Sequence, residues 1–383
     1  MEKNQSLKRT KVRKKRRKIS KMKDIDYGFL CGIMLILFIG VIMVYSSSSY
    51  YALYEKESSE FFIMKELLWT VVGIIAMCFT MSFDYHNYKK LTPLVLVGAF
   101  ISLIAVLFFG SINGAVRWIR IGPLSFQPSE LGKYAVVLYL AYVIDNGKGR
   151  IEEFWRGTIS YLIIPGLIAV LVLLGKNLSI TVIIAVVSII MVIAGGAKIK
   201  YILSLMPFGL AAVACLIALE PYRFTRFLTF LDPWGANSDD SYQLIQSFYA
   251  LGSGGIFGVG LGNSKQKALF MPEPHNDFIF AIIGEELGLI GAVFVILLFI
   301  FITIKGATIA AKAKDNYGYL LAIGIISIIS IQAVINIAVV TGSIPVTGVP
   351  LPLISYGGTS LVFNLTALGI LLNISRQNKE TLK

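Results

Sequence analysis

Phe278-Ile-Phe-Ala-Ile-Ile-Gly-Glu-Glu-Leu-Gly-Leu-Ile-Gly-Ala-Val-Phe-Val-Ile-Leu-Leu-Phe-Ile-Phe-Ile-Thr-Ile304 decides the fold class. A bilayer core takes about 20 apolar residues as a helix, and this stretch exceeds that with only Glu285 and Glu286 charged. Working outward, nine further apolar stretches have similar length. The ten expected spans are 27–45, 65–83, 92–109, 129–145, 158–175, 178–195, 201–219, 278–304, 317–340 and 354–374. Composition agrees. The 383 residues are 56% hydrophobic and 15% charged, with a mean hydropathy of +0.74. Soluble domains carry about 25% charged residues, and disorder needs low hydrophobicity. Cys31, Cys78 and Cys215 sit in apolar runs, so a disulfide scaffold is excluded. The expectation is an all-α polytopic membrane protein of about ten transmembrane helices.

Charge orients it. Residues 1–25 hold twelve Lys/Arg against Glu2 and Asp24, a local charge of +10. A span begins right after, at Tyr27, so the tail reads as a cytoplasmic anchor that touches anionic lipid. Nucleic acid is not the expected partner. Candidate inner segments carry 25 Lys/Arg and outer ones 8, so the positive-inside rule puts both termini in the cytoplasm. The expected organisation is a basic tail (1–25), a membrane domain (26–376) and a short cytoplasmic tail (377–383). Within the membrane domain, 220–277 forms a large extracellular loop. Tyr242, Ile245, Phe248 and Tyr249 have helical spacing there and suggest a short helix on the membrane surface. The run Gly252 to Gly262 lacks the strand–turn–helix frame of a dinucleotide site. Close packing or tight backbone re-entry is its expected use.

Ionisable groups at membrane depth are costly and mark function. Asp277 is the last polar residue before the span that starts at Phe278. It reads either as a helix N-cap or as a partly desolvated base. Gln127-Pro-Ser-Glu130 and Lys133 lead from an outer loop into a helix that Ser129 is placed to cap. Glu130 and Lys133, three apart, fit a structural ion pair or a polar wall that meets a headgroup. Arg223, Arg226, Lys265 and Lys267 lie on the face that should be poor in cations. They fit ion pairs with Asp232, Asp239 and Asp240, or diphosphate recognition. Thr341 to Ser360 holds three prolines and four glycines and cannot be one helix. At membrane depth such backbone must be buried in protein or line a wet cavity. It reads as a re-entrant outer loop, and Ser355, Thr359, Ser360 and its free amides suit a polar headgroup as well as plain packing. His86 and His275 have no metal-ligand spacing.

Four stretches together resemble the SEDS family (shape, elongation, division and sporulation proteins), which includes FtsW, RodA and SpoVE. They are Gly114-Ala-Val-Arg-Trp118 with Phe126-Gln-Pro-Ser-Glu130, and Phe230-Leu-Asp-Pro-Trp234 with Gln246-Ser-Phe-Tyr-Ala250. The others are Pro272-Glu-Pro-His-Asn-Asp-Phe-Ile-Phe280 with Gly284-Glu-Glu-Leu-Gly288, and the loop from Pro345 to Ser360. Pro345-Val-Thr-Gly348 and Pro272-Glu-Pro274 look more like FtsW or SpoVE than RodA. The resemblance implies an inverting peptidoglycan glycosyltransferase acting on lipid II, an undecaprenyl-diphosphate disaccharide-pentapeptide. It makes Asp277 the essential acid. Arg117, Arg226, Lys133 and Lys267 become candidates for diphosphate or headgroup contact, with Gln127, Glu130, Ser355, Gly357 and Gly358 around them. A divalent cation, magnesium or manganese, stays open. Implied partners are a single-pass class B penicillin-binding protein and other divisome proteins, in the bacterial cell membrane at the division septum. A lipid II flippase and a non-catalytic scaffold are the competing readings. One departure stands out: Gly175-Lys-Asn-Leu-Ser-Ile180 has Asn177 and Ser179 where the family pattern has an acid and a glycine.

Overall fold

The computed structural model describes residues 25–110, 116–121, 124–147, 149–235 and 238–377. The basic tail up to Asp24, Gly114 and the end of the C-terminal tail lie outside the described residues. The helices are α1 (Tyr27–Lys56), α2 (Phe61–Ser82), α3 (Tyr88–Val106), α4 (Pro128–Asn146), α5 (Ser160–Leu174) and α6 (Leu178–Ala194). They continue as α7 (Ile199–Ala218), α8 (Pro221–Leu231), α9 (Asp239–Gly254), α10 (Ile279–Ala311), α11 (Asn316–Val340) and α12 (Gly358–Arg376). Each of the ten expected spans falls on a helix, the third ending at Val106 rather than 109 and the last beginning at Gly358 rather than 354. Among the described residues, eight helical segments are long and apolar enough to cross a bilayer. The two exceptions have physical reasons: α6 has 17 residues, and α4 carries Glu130, Lys133 and Asp145, with Glu130 and Lys133 buried in protein rather than lipid. The chain is a multi-pass membrane protein. A hairpin not expected from the sequence pairs β1 (Ile119–Ile121) with β2 (Leu124–Phe126) before α4.

Close approach holds the bundle together. α12 lies along α2, where Gly73 meets Leu365, Gly369 meets Met77, and Thr80 Oγ1 donates to the Thr366 carbonyl at 2.9 Å. α11 sits against α4, α6 and α10 and is buried along most of one side. α1 continues to Lys56, beyond the expected end at Tyr45. Its added turns are anchored from outside the helix: Ser46 Oγ donates to Glu286.

The 33 residues of α10 would measure roughly 50 Å as one helix, more than a bilayer core of about 30 Å. The helix breaks at Gly288, with φ 68°. A break strands backbone groups, which in a membrane must find partners. The glycine run supplies them. Val259 and Gly260 N–H donate to the Glu285 and Glu286 carbonyls at 3.0 Å, and Leu289 and Ile290 N–H donate to the Gly255 and Ile256 carbonyls at 2.9 and 3.2 Å. Gly258, at φ 81°, is packed against the backbone of Glu286 and Gly288, which leaves no room for a Cβ. The run thus has the tight backbone packing that its composition suggested.

The large loop is more helical than expected. α9 spans 16 residues and packs on α10, and Ser247 Oγ donates to the Val340 carbonyl at 3.0 Å. α8 is an addition. The segment from Thr341 to Gly357 enters the bundle: the Leu353 and Ile354 backbone lies on Gly40, in the middle of α1.

Candidate functional site

One end of the bundle is built around a short strap, His275-Asn276-Asp277. Asn336 of α11 donates through Nδ2 to the Asp277 carbonyl at 2.7 Å and to the Val349 carbonyl at 2.8 Å. One amide therefore fixes the strap and the re-entrant loop to each other. Ser355 Oγ donates to the Asn276 carbonyl at 2.7 Å and accepts the Leu351 N–H at 2.8 Å. Tyr356 N–H donates to the His275 carbonyl at 2.9 Å.

Asp277 does not cap a helix. The N-cap of α10 is Phe278, and no side chain caps it. Among the described residues, the Asp277 carboxylate has no ion pair. It rests beside Gly348, 3.2 Å from where a Cβ would stand. Its carboxyl stands raised at about 6: burial is the largest cause, Arg226 and Arg117 oppose it, and Glu273 adds to it. Arg226 grips Asp240 through two bonds of 2.9 and 2.8 Å, reaches the Val346 carbonyl at 3.3 Å, and lies over the Tyr222 ring at 4.4 Å. The ion pair and the placement beside Asp277 hold together. Arg117 donates to the Lys176 carbonyl, and its Nε is buried without a partner. Burial lowers its pKa, and Tyr222 and Asp277 oppose that shift. Arg117, with Ser129, Gly175 and Asn177, lines a small recess at the head of α4.

Other candidates fall elsewhere. Ser129 does not cap α4: Gln127, half-buried, holds that position without a side-chain bond, and Ser129 Oγ is buried unpartnered inside the first turn. Glu130 and Lys133 form a buried pair at 2.9 Å, and Glu130 Oε2 and Lys133 Nζ make no hydrogen bond. Lys267 differs from its expectation. It is 1% exposed and its ammonium binds Glu286 at 2.7 Å and Ser46 Oγ at 3.0 Å, a structural tie that faces no open surface. Ser355 is committed to backbone, as above. Gly357 and Gly358 begin α12, and the Trp69 indole occupies the space a Gly358 side chain would need.

Asn177 accepts the Ile180 N–H at 3.2 Å and so caps α6, while Ser179 Oγ donates to the Thr347 carbonyl at 2.6 Å. The turn offers a cation no carboxylate and its amide oxygen is already engaged, so these residues do not fit a metal. Sequence reasoning missed Asn336 and Glu66. Both are polar residues inside apolar spans, which is the signal that would have found them.

Comparison with known proteins fits this frame. Stage V sporulation protein E of Bacillus subtilis (strain 168) is 42% identical over 349 residues, 90% of this chain and 95% of that protein. The probable peptidoglycan glycosyltransferase FtsW of Geobacter sp. (strain M18) is 37% identical over 358 residues, 93% and 98% of the two chains. The rod shape determining protein RodA of Thermus thermophilus superimposes with a TM-score of 0.70 at 24% identity, covering 93% of this chain and 98% of that one. A chain from a peptidoglycan synthase complex, described by its structural coordination of polymerization and crosslinking, gives 0.74 at 26% identity, covering 92% and 98%. Residues 28–380 match the family of FtsW, RodA and SpoVE, described as cell cycle protein, and the chain belongs to that family.

Proposed function

We propose that this protein is a peptidoglycan glycosyltransferase that polymerises lipid II into β-1,4 glycan strands for septal or spore cell wall. The observation that carries the reading is Asp277, an unpaired carboxylate with a raised proton affinity, beside two arginines at the outer end of the bundle. Relatives named as glycosyltransferases support the reaction class. The acceptor 4-hydroxyl gives its proton to Asp277 as its oxygen attacks the donor's anomeric carbon. The bond from that carbon to the diphosphate oxygen breaks, and undecaprenyl diphosphate leaves with the electron pair. A single base and a charge-neutralised leaving group suffice for inversion. Arg117, with a free Nε, and Arg226 neutralise the diphosphate. The Glu130–Lys133 pair is as buried as Lys267 and takes the structural role in this reading rather than a headgroup contact.

The partner in this reading is a single-pass class B penicillin-binding protein, with both termini of this chain in the cytoplasm. The test incubates the purified protein and its partner with lipid II and resolves glycan chains on a gel. Asp277→Asn is expected to lower polymer yield at least about 100-fold, as loss of a general base does. Equal chains from the variant would remove Asp277 from the mechanism, and headgroup translocation in vesicles without polymer would favour a flippase.

A further inference from the structure

One charged group in the outer half of the bundle has no part in this chemistry. Glu66 lies in α2, is 2% exposed, and has no ion pair among the described residues. A carboxylate isolated in a membrane span is costly and needs a compensating role. The Gly357 N–H is the backbone donor beside its carboxylate, and Oε2 is unpartnered. Gly357 is the N-cap of α12, where backbone amides are free to be bound from outside the helix.

Glu66 is not alone on its face of α2. Phe62, one turn toward the outer end, sets its ring 4.3 Å from His275 and 5.2 Å from Tyr356. Trp69, nearly one turn inward, fills the space beside Gly358. The three spacings put these side chains on one stripe. That stripe holds consecutive parts of one unit: His275 and Tyr356 through rings, Gly357 through its amide, Gly358 through the indole. Tyr356 N–H in turn donates to the His275 carbonyl, two residues from Asp277. The Tyr356 hydroxyl, pushed up to about 12 by burial first and by the Glu66 charge second, reflects the same proximity.

We infer that Glu66 is a positioning residue for the transfer reaction: by accepting the Gly357 N–H it fixes the Tyr356–Gly357 corner, and through it the strap that carries Asp277. The inference rests on the glycosyltransferase reading above. What it requires is an acceptor oxygen at this point rather than a negative charge. Displacement of a reacting group by about 1 Å is enough to lower a rate by orders of magnitude, and without Glu66 the Gly357 side of the corner is left to ring packing and the single Tyr356 N–H bond to His275.

The experiment compares wild type, Glu66→Gln and Glu66→Leu in complex with the partner, measuring initial polymerisation rate against lipid II concentration together with the melting temperature. Glu66→Gln keeps the oxygen and is expected to retain kcat within about twofold. Glu66→Leu removes it and is expected to lower kcat about tenfold or more, with KM and melting temperature little changed. If Glu66→Leu does not yield folded complex, Glu66→Asp, which withdraws the oxygen by one methylene, takes its place with the same expectation. Wild-type kcat in the leucine or aspartate variant would overturn the inference. So would equal losses in the glutamine and leucine variants, which would mean that charge matters. Absence of polymer from the wild-type complex itself would instead count against the glycosyltransferase reading, so the two failures are distinct.

Discussion

The Asp277 strap is fixed by main chain: Asn336 holds the Asp277 carbonyl, and Ser355 and Tyr356 hold the two residues before it. The carboxylate is left to its surroundings, and burial dominates them. The ionised form is the base, so the polymerisation rate is expected to rise with pH through about 6 and level off above. Arg226 lowers the Asp277 pKa. Arg226→Gln therefore moves the acidic limb to higher pH, a shift read from initial rates between about pH 5 and about pH 8. His275 contributes no second limb there, because burial holds its imidazole down to about 4 and it stays neutral. Asp277 was readable from the sequence as a carboxylate at a span boundary. Its neighbours were not, because Arg117 from the loop before β1, Arg226 from α8 and Gly348 from the re-entrant loop are brought together only by the fold.

At the scale of elements, two features of the half that carries Asp277 hold α10 in place. One is the break at Gly288. An alanine there would need a positive φ and would drive its Cβ into the Gly258 and Ile256 backbone. Gly288→Ala is expected to destabilise by about 1–3 kcal/mol or more, seen as a lower melting temperature in detergent. The other is the buried Lys267–Glu286–Ser46 contact. Removing one member leaves an uncompensated charge, so Lys267→Met is expected to cost about 3–5 kcal/mol. Lys267→Met combined with Glu286→Leu should recover most of that loss in the same melting assay. Apolar run length showed where helices lie. It did not show that α10 breaks, because every residue around Gly288 suits a helix, and only the fit of the glycine run against Glu285 and Glu286 makes a break favourable. Lys267 was misjudged for a related reason. A lysine in an outer loop looks available to phosphate until the loop folds down onto a buried glutamate.

For the whole molecule, hydropathy is additive over long stretches and so insensitive to packing, which is why the helices lie where apolar run length puts them; the orientation expected from the distribution of Lys and Arg is a proposal. The orientation has a direct check. Asn263→Cys and Lys314→Cys each place a thiol at an exposed loop position at opposite ends of α10. In intact cells a membrane-impermeant maleimide is expected to label the first and spare the second. Reversed labelling would invert the topology and put Asp277 on the cytoplasmic side.

The ion pairs divide by depth. Those at the end opposite Asp277 are wetted: Lys89–Asp145, Lys198–Glu152, Lys305–Asp26, and His86 between Asp84 and Asp315. The Glu130–Lys133 and Lys267–Glu286 pairs are sealed. Mobile counterions shield exposed charges and barely reach enclosed ones. Rising ionic strength therefore slackens the stitching between the loops at that wetted end and, at the other, the part-exposed Arg226–Asp240 tie, while the sealed pairs hold.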